Sequence, residues 1–506
     1  MKHQILARLF FVWFFSLVWL FAAIPARAVG NNILVIIADD LGVDMLGIYG
    51  RGSDTPPTPN IDALKANGIM FRNAWANPLC SPTRAAIQTG QYGLRTGVGS
   101  VSQYSSSGLP LANPSIRPLP RVLNQNPGLG YRHAAIGKWH LSNANSLLTG
   151  SNKENAPNDA GWSYFSGNWS AMGTSNIDNW LDDYFLWQKI QNGTKSNIEA
   201  QYLGDPAAYV TTVNVNDAIQ WVNQQTGPWL LYLAFNSPHS PYHVPPRDLL
   251  NPPRDADTSS TRNLYKAMIE AMDTEIGRLI GSLGPSVMSK TTVIFLGDNG
   301  TPGRDSDGEA IVVAPFNPDK AKSLPPTLYE GGINVPLIIS GADVKKPNRE
   351  SQALVNATDL YATILDLAGV DLRTALAGAK FDTFSLKPII DNTYNRSLRK
   401  YIYAEHFIGP DAAWTRAVRN DRFKLIRFIT HKSEPDSLYL EKFYDLASDP
   451  FENDDLLSST SLTAVQQRNL DDLRAQLDAL TETTGTEKWA LPHNSWFRNI
   501  LDFLLD

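Results

Sequence analysis

The strongest constraint on the fold is one kind of segment that recurs along the chain. Residues 31–38 (NNILVIIA), 229–235 (WLLYLAF), 291–297 (TTVIFLG) and 335–340 (VPLIIS) are short, nearly continuous apolar runs rich in β-branched residues. Continuous hydrophobicity, rather than alternation, is what a strand buried on both faces of a parallel sheet requires. Between these runs, residues 263–280 set Met268, Met272, Ile276 and Leu279 on one helical stripe, and residues 217–222 and 359–367 read as further amphipathic helices. Strands alternating with helices predict an α/β sandwich with a mostly parallel central sheet. After Lys400 the texture changes. Residues 416–428 (RAVRNDRFKLIRF) and 442–446 (KFYDL) suggest short antiparallel strands, so a small C-terminal α+β subdomain is expected over 406–506, after a main domain of 29–405. Residues 496–505 are apolar enough for a docked terminal helix.

Residues 1–28 have the layout of an export signal: Lys2 and Arg8 first, then an apolar run over 9–24, then Ala26-Arg27-Ala28 as a small-residue cleavage site. Their removal takes away three cations and no acid, so the formal charge moves from −6 to −9. A mildly acidic surface gives no support for nucleic-acid binding, and no later run is long enough to span a membrane. An anionic ligand would need a local cationic pocket. The expectation is an exported protein, periplasmic or secreted, and soluble once the signal is removed.

The polar residues of interest lie just past the carboxyl ends of the apolar runs: Asp39 and Asp40 after the first, 236–243 after the second, Asp298 and Asn299 after the third. Open α/β sheets bind ligands at that edge. Asp39, Asp40, Asp298 and Asn299 offer only hard oxygen donors, which suit Ca²⁺ or Mg²⁺ rather than zinc. An acidic pair after a strand also serves as a helix cap and turn. Cys80 is the single cysteine, so it has no internal disulfide partner. It precedes Ser81-Pro82, and proline in a first helical turn would put Cys80 at a helix N-terminus, where free N–H groups favour an anion. Arg84, about one turn on, could direct its fork to the same place. A buried, inert cysteine is the plainer alternative.

With these residues in view, the chain resembles the type I sulfatases of the alkaline phosphatase superfamily. That family's Cys-X-Pro-X-Arg followed by Thr-Gly stands here as Cys80-Ser81-Pro82-Thr83-Arg84 with Thr89-Gly90. A second signature is similar to residues 130–140 (GYRHAAIGKWH). Further matches are Asp39-Asp40, Thr58-Pro59-Asn60-Ile61-Asp62, Pro238-His239, Asp298-Asn299-Gly300, Tyr329-Glu330-Gly331-Gly332, and Tyr444-Asp445-Leu446 with Asp449-Pro450.

The resemblance implies hydrolysis of sulfate monoesters, with Cys80 converted by a formylglycine-generating system into the nucleophile. It implies Ca²⁺, with Mg²⁺ as the alternative, held by Asp39, Asp40, Asp298 and Asn299 together with the modified Cys80. Arg84, Lys138, His140, His239 and Lys322 are the implied catalytic residues, and Lys138, His239 and Lys322 the implied sulfate contacts. His243 is a weaker candidate for the substrate pocket, and His133 has no role. Taken alone, Lys138 and His140 would read as a surface lysine and a core histidine. The family's active-site lysine stands five residues ahead of the glutamate matched by Glu330, a position held here by Pro325. Lys322, with three residues inserted after Ser323, is the expected replacement and Lys320 its competitor. Residues 162–184 and 242–251 are expected pocket walls, where Trp162, Tyr164, Trp169 and Trp180 either stack on a substrate ring or pack the loop. The sequence leaves open a phosphodiesterase or phosphonate hydrolase using the same nucleophile, and a carbohydrate-binding homologue without catalysis.

Overall fold

The computed structural model describes residues 30–101, 111, 113–142, 153–173, 182–202, 204–323, 326–394, 396–408, 414–429, 439–458 and 461–482. The expected signal, the terminal helix, Trp180 and Pro325 lie outside them.

The main sheet contains β1 (Asn32–Ala38), β2 (Gly68–Trp75), β3 (Arg132–Lys138), β4 (Tyr164–Asn168), β5 (Leu186–Gln191), β6 (Thr194–Glu199), β7 (Trp229–Ala234), β8 (Thr291–Gly297), β9 (Leu337–Gly341) and β10 (Arg349–Asn356). Their order is β10-β2-β9-β8-β1-β7-β3-β4-β5-β6. Strands β8, β1, β7, β3 and β4 pair in parallel. β9 runs antiparallel to both neighbours, β8 and β2. Its apolar run is continuous because it is central and buried on both faces, and that pattern carries no information about direction. The reversal has a consequence for the site: the segment leading into β9 lies beside the carboxyl end of β8, where Gly297 N–H donates to Pro336 O at 3.1 Å.

The two faces of β1 show how the layers form. Ile33, Val35 and Ile37 enter one core with Ala85 and Ile87 of helix α2 (Cys80–Thr89) and Leu360, Tyr361 and Ile364 of α5 (Asp359–Leu367). Leu34, Ile36 and Ala38 enter the opposite core. There they join Ile61 and Leu64 of α1 (Pro59–Ala66), Val215 and Trp221 of α3 (Val210–Val222), and Met272 and Ile276 of α4 (Thr261–Met288). Period-two alternation therefore serves two helical layers at once.

The small sheet is an antiparallel meander of β11 (Ile402–Phe407), β12 (Trp414–Arg419), β13 (Phe423–Ile429) and β14 (Tyr439–Asp445). One face packs on Leu470, Leu473 and Leu477 of α6 (Ala464–Glu482). The other face sets Ile402, Ala404, Ala417 and Ile426 against Trp75, Leu328 and Ile333 of the main body. Among the described residues, no helix is long and apolar enough to cross a membrane.

Candidate active site

At the carboxyl edge of the main sheet the backbone ladder continues one residue beyond the strands. Asp39 N–H donates to Ser237 O and Asp298 N–H to Ala38 O, each at 3.0 Å. Asp40 then turns back with φ +69°, a conformation that non-glycine residues adopt at a cost on the order of 1 kcal/mol. Its amide donates to Asp298 Oδ1 at 3.0 Å, and the Tyr265 hydroxyl of α4 donates to its carbonyl. These contacts fix the two acidic loops to each other.

Cys80 is the first residue of α2, after Leu79 in the N-cap position. Its Sγ lies 3.2 Å from Asp39 Oδ1 and 3.9 Å from Asp40 Oδ1. Arg84 differs from the expectation that its fork faces an anion at Cys80. Its Nε and Nη2 both donate to Asp298 Oδ2, at 3.0 and 2.8 Å, and its Nη1 donates to Lys138 O at 2.7 Å. The guanidinium is fully buried and ties the third acid to β3.

Lys138, the last residue of β3, forms an ion pair with Asp39 Oδ2. Two residues on, His140 is buried with φ +55°. Its carbonyl accepts from Ser81 Oγ at 2.8 Å, which ties it to the start of α2, and its Nδ1 has no hydrogen-bond partner among the described residues. His239, in the loop after β7, donates from Nδ1 to Ser240 O at 2.7 Å and points Nε2 at Asp40 Oδ2, 3.8 Å away. That backbone bond selects the tautomer and leaves Nε2 as the face turned to the site. Lys322 reaches Asp40 Oδ2. Lys320 points elsewhere, to the carbonyl of Glu452. The His239 and Lys322 side chains are 18% and 12% exposed whereas Asp39, Arg84 and Lys138 are sealed, so these two residues stand at the mouth.

His243 stands apart from this group. It packs within an aromatic set, 4.0 Å from the Tyr184 ring centroid, and shares hydrogen bonds with Pro241 O (2.9 Å) and Tyr209 OH (3.3 Å). Tyr184 in turn donates to the carbonyls of Asn236 and His239 at 2.7 and 2.6 Å, so His243 supports the histidine loop from behind. Trp162 packs in the core against Tyr232 and His133, which settles its alternatives in favour of packing. Tyr164 and Trp169 also pack against the cores.

Three carboxylates (Asp39, Asp40, Asp298) thus face three cations (Arg84, Lys138, Lys322). Burial pushes Asp40 up, but Lys322, then His239 and Lys138, hold it well below the usual carboxylate range. Burial and then Asp39 push Asp298 up to about 6, against the pull of Arg84. Burial opposes the charge on Lys138 and Lys322, and the paired aspartates outweigh it. Burial, followed by Asp39, pushes the Cys80 thiol well up, and burial takes His239 down to about 4 against the pull of Asp40.

These residues fit a hard divalent cation. Asp39, Asp40, Cys80 and His239 each bring a ligand atom within 4.8 Å of the others. Asn299 donates from Nδ2 to Asp40 Oδ1, while its buried Oδ1 has no hydrogen-bond partner among the described residues. Carboxylates joined by an amide oxygen form an oxygen-rich donor set of the Ca²⁺ or Mg²⁺ kind.

Sequence reasoning missed the supports. Tyr265 and Tyr184 look like ordinary core aromatics, and only the fold brings their hydroxyls to the loop carbonyls. Gly300 and Glu330 lay in recognised motifs, yet their work emerges only in three dimensions. Gly300 N–H donates to Gly332 O at 2.9 Å, and a Cβ on Gly300 would lie 2.0 Å from Gly331 O. The loop after β8 and the turn before β9 are therefore packed backbone to backbone.

Comparison with known proteins agrees with this geometry. The sulfatase family model matches residues 31–370, and a model described as N-sulphoglucosamine sulphohydrolase, C-terminal, matches residues 326–482. The N-acetylgalactosamine-6-sulfatase of Sus scrofa is 27% identical over 361 residues, covering 67% of this chain and 62% of that protein. Arylsulfatase G of Rattus norvegicus is 26% identical over 426 residues, 79% of this chain and 76% of that protein. Among solved structures, Ps i-CgsB in complex with k-i-k-neocarrahexaose superposes with a TM-score of 0.69 at 23% identity, covering 94% of this chain and 97% of that one. BT4656 in complex with its substrate D-glucosamine-2-N,6-O-disulfate gives 0.65 at 19% identity, over 90% and 100%. A family match over most of the length, on a fold that gathers the motif residues at one sheet edge, shows that the chain belongs to the sulfatase family.

Proposed function

We propose that the protein hydrolyses sulfate monoesters, with Cys80 as the precursor of the nucleophile and a Ca²⁺ ion held by Asp39, Asp40, Asp298 and Asn299. The observation that carries this reading is Cys80 at the N-terminus of α2, 3.2 Å from Asp39, inside a buried set of three acids and three cations. The six side-chain charges cancel. A divalent ion leaves a net positive pocket, which an anionic ester offsets.

Conversion of Cys80 to formylglycine by a modifying enzyme would replace CH₂SH by an aldehyde, whose hydrate supplies one hydroxyl to attack sulfur and a second to release sulfate. Bound Ca²⁺ would offset charge on the sulfate oxygens and orient the nucleophile. The chain's own residues do the rest. Arg84 holds Asp298 in place, and Lys138 on the floor and Lys322 at the mouth hold sulfate oxygens. His239, through Nε2, gives a proton to the departing alcohol oxygen. An anion bound beside it raises its proton affinity from the depressed value of the free site. His140, whose Nδ1 has no hydrogen-bond partner among the described residues, takes a proton as sulfate leaves.

The substrate class we favour is a sulfated sugar. The names of the N-acetylgalactosamine-6-sulfatase relative and of the BT4656 substrate complex support it. Residues 1–28 support an exported protein, and the small sheet starts with β11 at Ile402, inside the 29–405 expected for the main domain. Sulfate release from 6-O-sulfated amino sugars, 4-nitrophenyl sulfate and the matching phosphate mono- and diesters tests the reading. Sulfate esters should be cleaved fastest. A phosphate ester turned over faster than every sulfate ester would overturn it.

A further inference from the structure

Lys322 occupies the site by an unusual route, and the contacts of its neighbours explain how its position is set. Its backbone is clamped on both sides: Lys322 N–H donates to Thr301 O at 3.0 Å, and Gly303 N–H donates to Lys322 O at 2.8 Å. Ala321 bridges to Gly331 in the turn before β9. Two residues back, Lys320 leaves the main domain altogether. Its ammonium donates to the backbone carbonyl of Glu452, in the loop that follows the small sheet, and lies 5.6 Å from the Tyr329 ring centroid. Tyr329 is held from elsewhere by Lys442 of β14, whose Nζ donates to its hydroxyl at 3.0 Å.

Glu452 is itself fixed. Its carboxylate accepts from Glu330 N–H and pairs with the buried Lys424 of β13 at 2.8 Å. Phe451 adds an edge-to-face contact with Phe316 of the same loop that carries Lys320, at 5.0 Å. The loop after the small sheet therefore grips the 316–322 segment at two points, one a hydrogen bond from the Lys320 ammonium and one aromatic, and Lys322 extends from the end of that grip.

We propose that Lys320 is a positioning residue: anchored on the Glu452 carbonyl and the Tyr329 ring, it sets the reach of Lys322 and so the affinity of the active site for sulfate. The proposal rests on the reading of Lys322 as a sulfate contact. A long lysine stem without a fixed base loses rotamer entropy each time it binds, and a displaced binding group weakens ground-state and transition-state binding alike, so the effect belongs mainly in KM.

A double-mutant cycle of K320M and K322M on sulfate-ester turnover tests this, with K320R as the conservative rescue. K320M is expected to raise KM, and the inhibition constant of free inorganic sulfate, by about tenfold, with kcat changed less than about twofold. K320R should recover most of the loss. In the K322M background, K320M should have no further effect, because the group it positions is gone. If K320M leaves both constants unchanged, or adds the same factor with and without Lys322, the proposal is overturned. If K322M alone is without effect, the assignment of Lys322 as a sulfate contact fails instead. Should K320M fail to fold, K320Q shortens the reach to the Glu452 carbonyl and removes the cation from the Tyr329 ring, and a sulfate affinity in K320Q equal to wild type would likewise overturn the proposal.

Discussion

Cys80 stands where two influences oppose each other: the N-terminus of α2 favours an anion, while burial and the Asp39 carboxylate push the thiol well up. A neutral group at that position, able to offer an oxygen after modification, suits both. Cys80→Ala is expected to lower sulfate release by more than about a thousandfold while leaving the thermal midpoint close to wild type, since a small buried side chain is exchanged for a smaller one. Gly137 shows the limit of reading such residues from sequence. It permits close backbone approach to the neighbouring strand β7, which no local pattern shows. With φ +95° and Ala234 O 2.0 Å from a would-be Cβ, Gly137→Ala should cost more than about 3 kcal/mol in urea unfolding and displace Lys138 with it.

At the scale of elements, the turn before β9 links the two sheets. Glu330 accepts from Trp75 Nε1 (3.0 Å) and Asn334 Nδ2 (3.0 Å), and pairs with Lys424 (3.2 Å) and Arg419 (3.4 Å) of the small sheet. Lys424→Met would leave Glu330 and Glu452 buried with one fewer cation. We expect a loss of about 3–5 kcal/mol by denaturant unfolding, because stranding a buried charge costs more than forming the pair gains. Glu405 of β11 gives a pH signature. Burial pushes it up to about 7, with Leu94 N–H and the Tyr403 hydroxyl donating to it. Its folded value lies above the unfolded one, so its contribution is fully present below about 4.3 and is lost as pH rises through about 7. Glu405→Gln should therefore gain stability relative to wild type between pH 5 and pH 8. An unchanged difference across that range would refute the assignment. The apolar runs revealed the strands because burial on both faces is written in composition. The direction of β9 was hidden because antiparallel and parallel core strands bury the same side chains.

For the whole molecule, the acids at the strand ends were legible because open α/β sheets assemble sites at that edge. The choice of Lys322 over Lys320 is a different matter. It depends on a contact 132 residues away in sequence, between Lys320 and Glu452, and no local pattern encodes that distance. The surroundings of His243 were hidden for a related reason, since the aromatic rings that pack on it come from two separate segments, Tyr184 with Phe185 and Tyr209. A ligand that binds only the folded chain stabilises it, so Ca²⁺ at about a hundred times its dissociation constant should raise the thermal midpoint by a few degrees, and Asp40→Asn should abolish that response. The most direct measurement pairs the mass of the peptide containing Cys80 with the sulfate-release rate, across preparations made with and without a formylglycine-generating enzyme. The rate should rise in proportion to the converted fraction and vanish in preparations where the peptide retains the mass of cysteine. Full turnover by unconverted protein would contradict the assignment of Cys80 as precursor of the nucleophile.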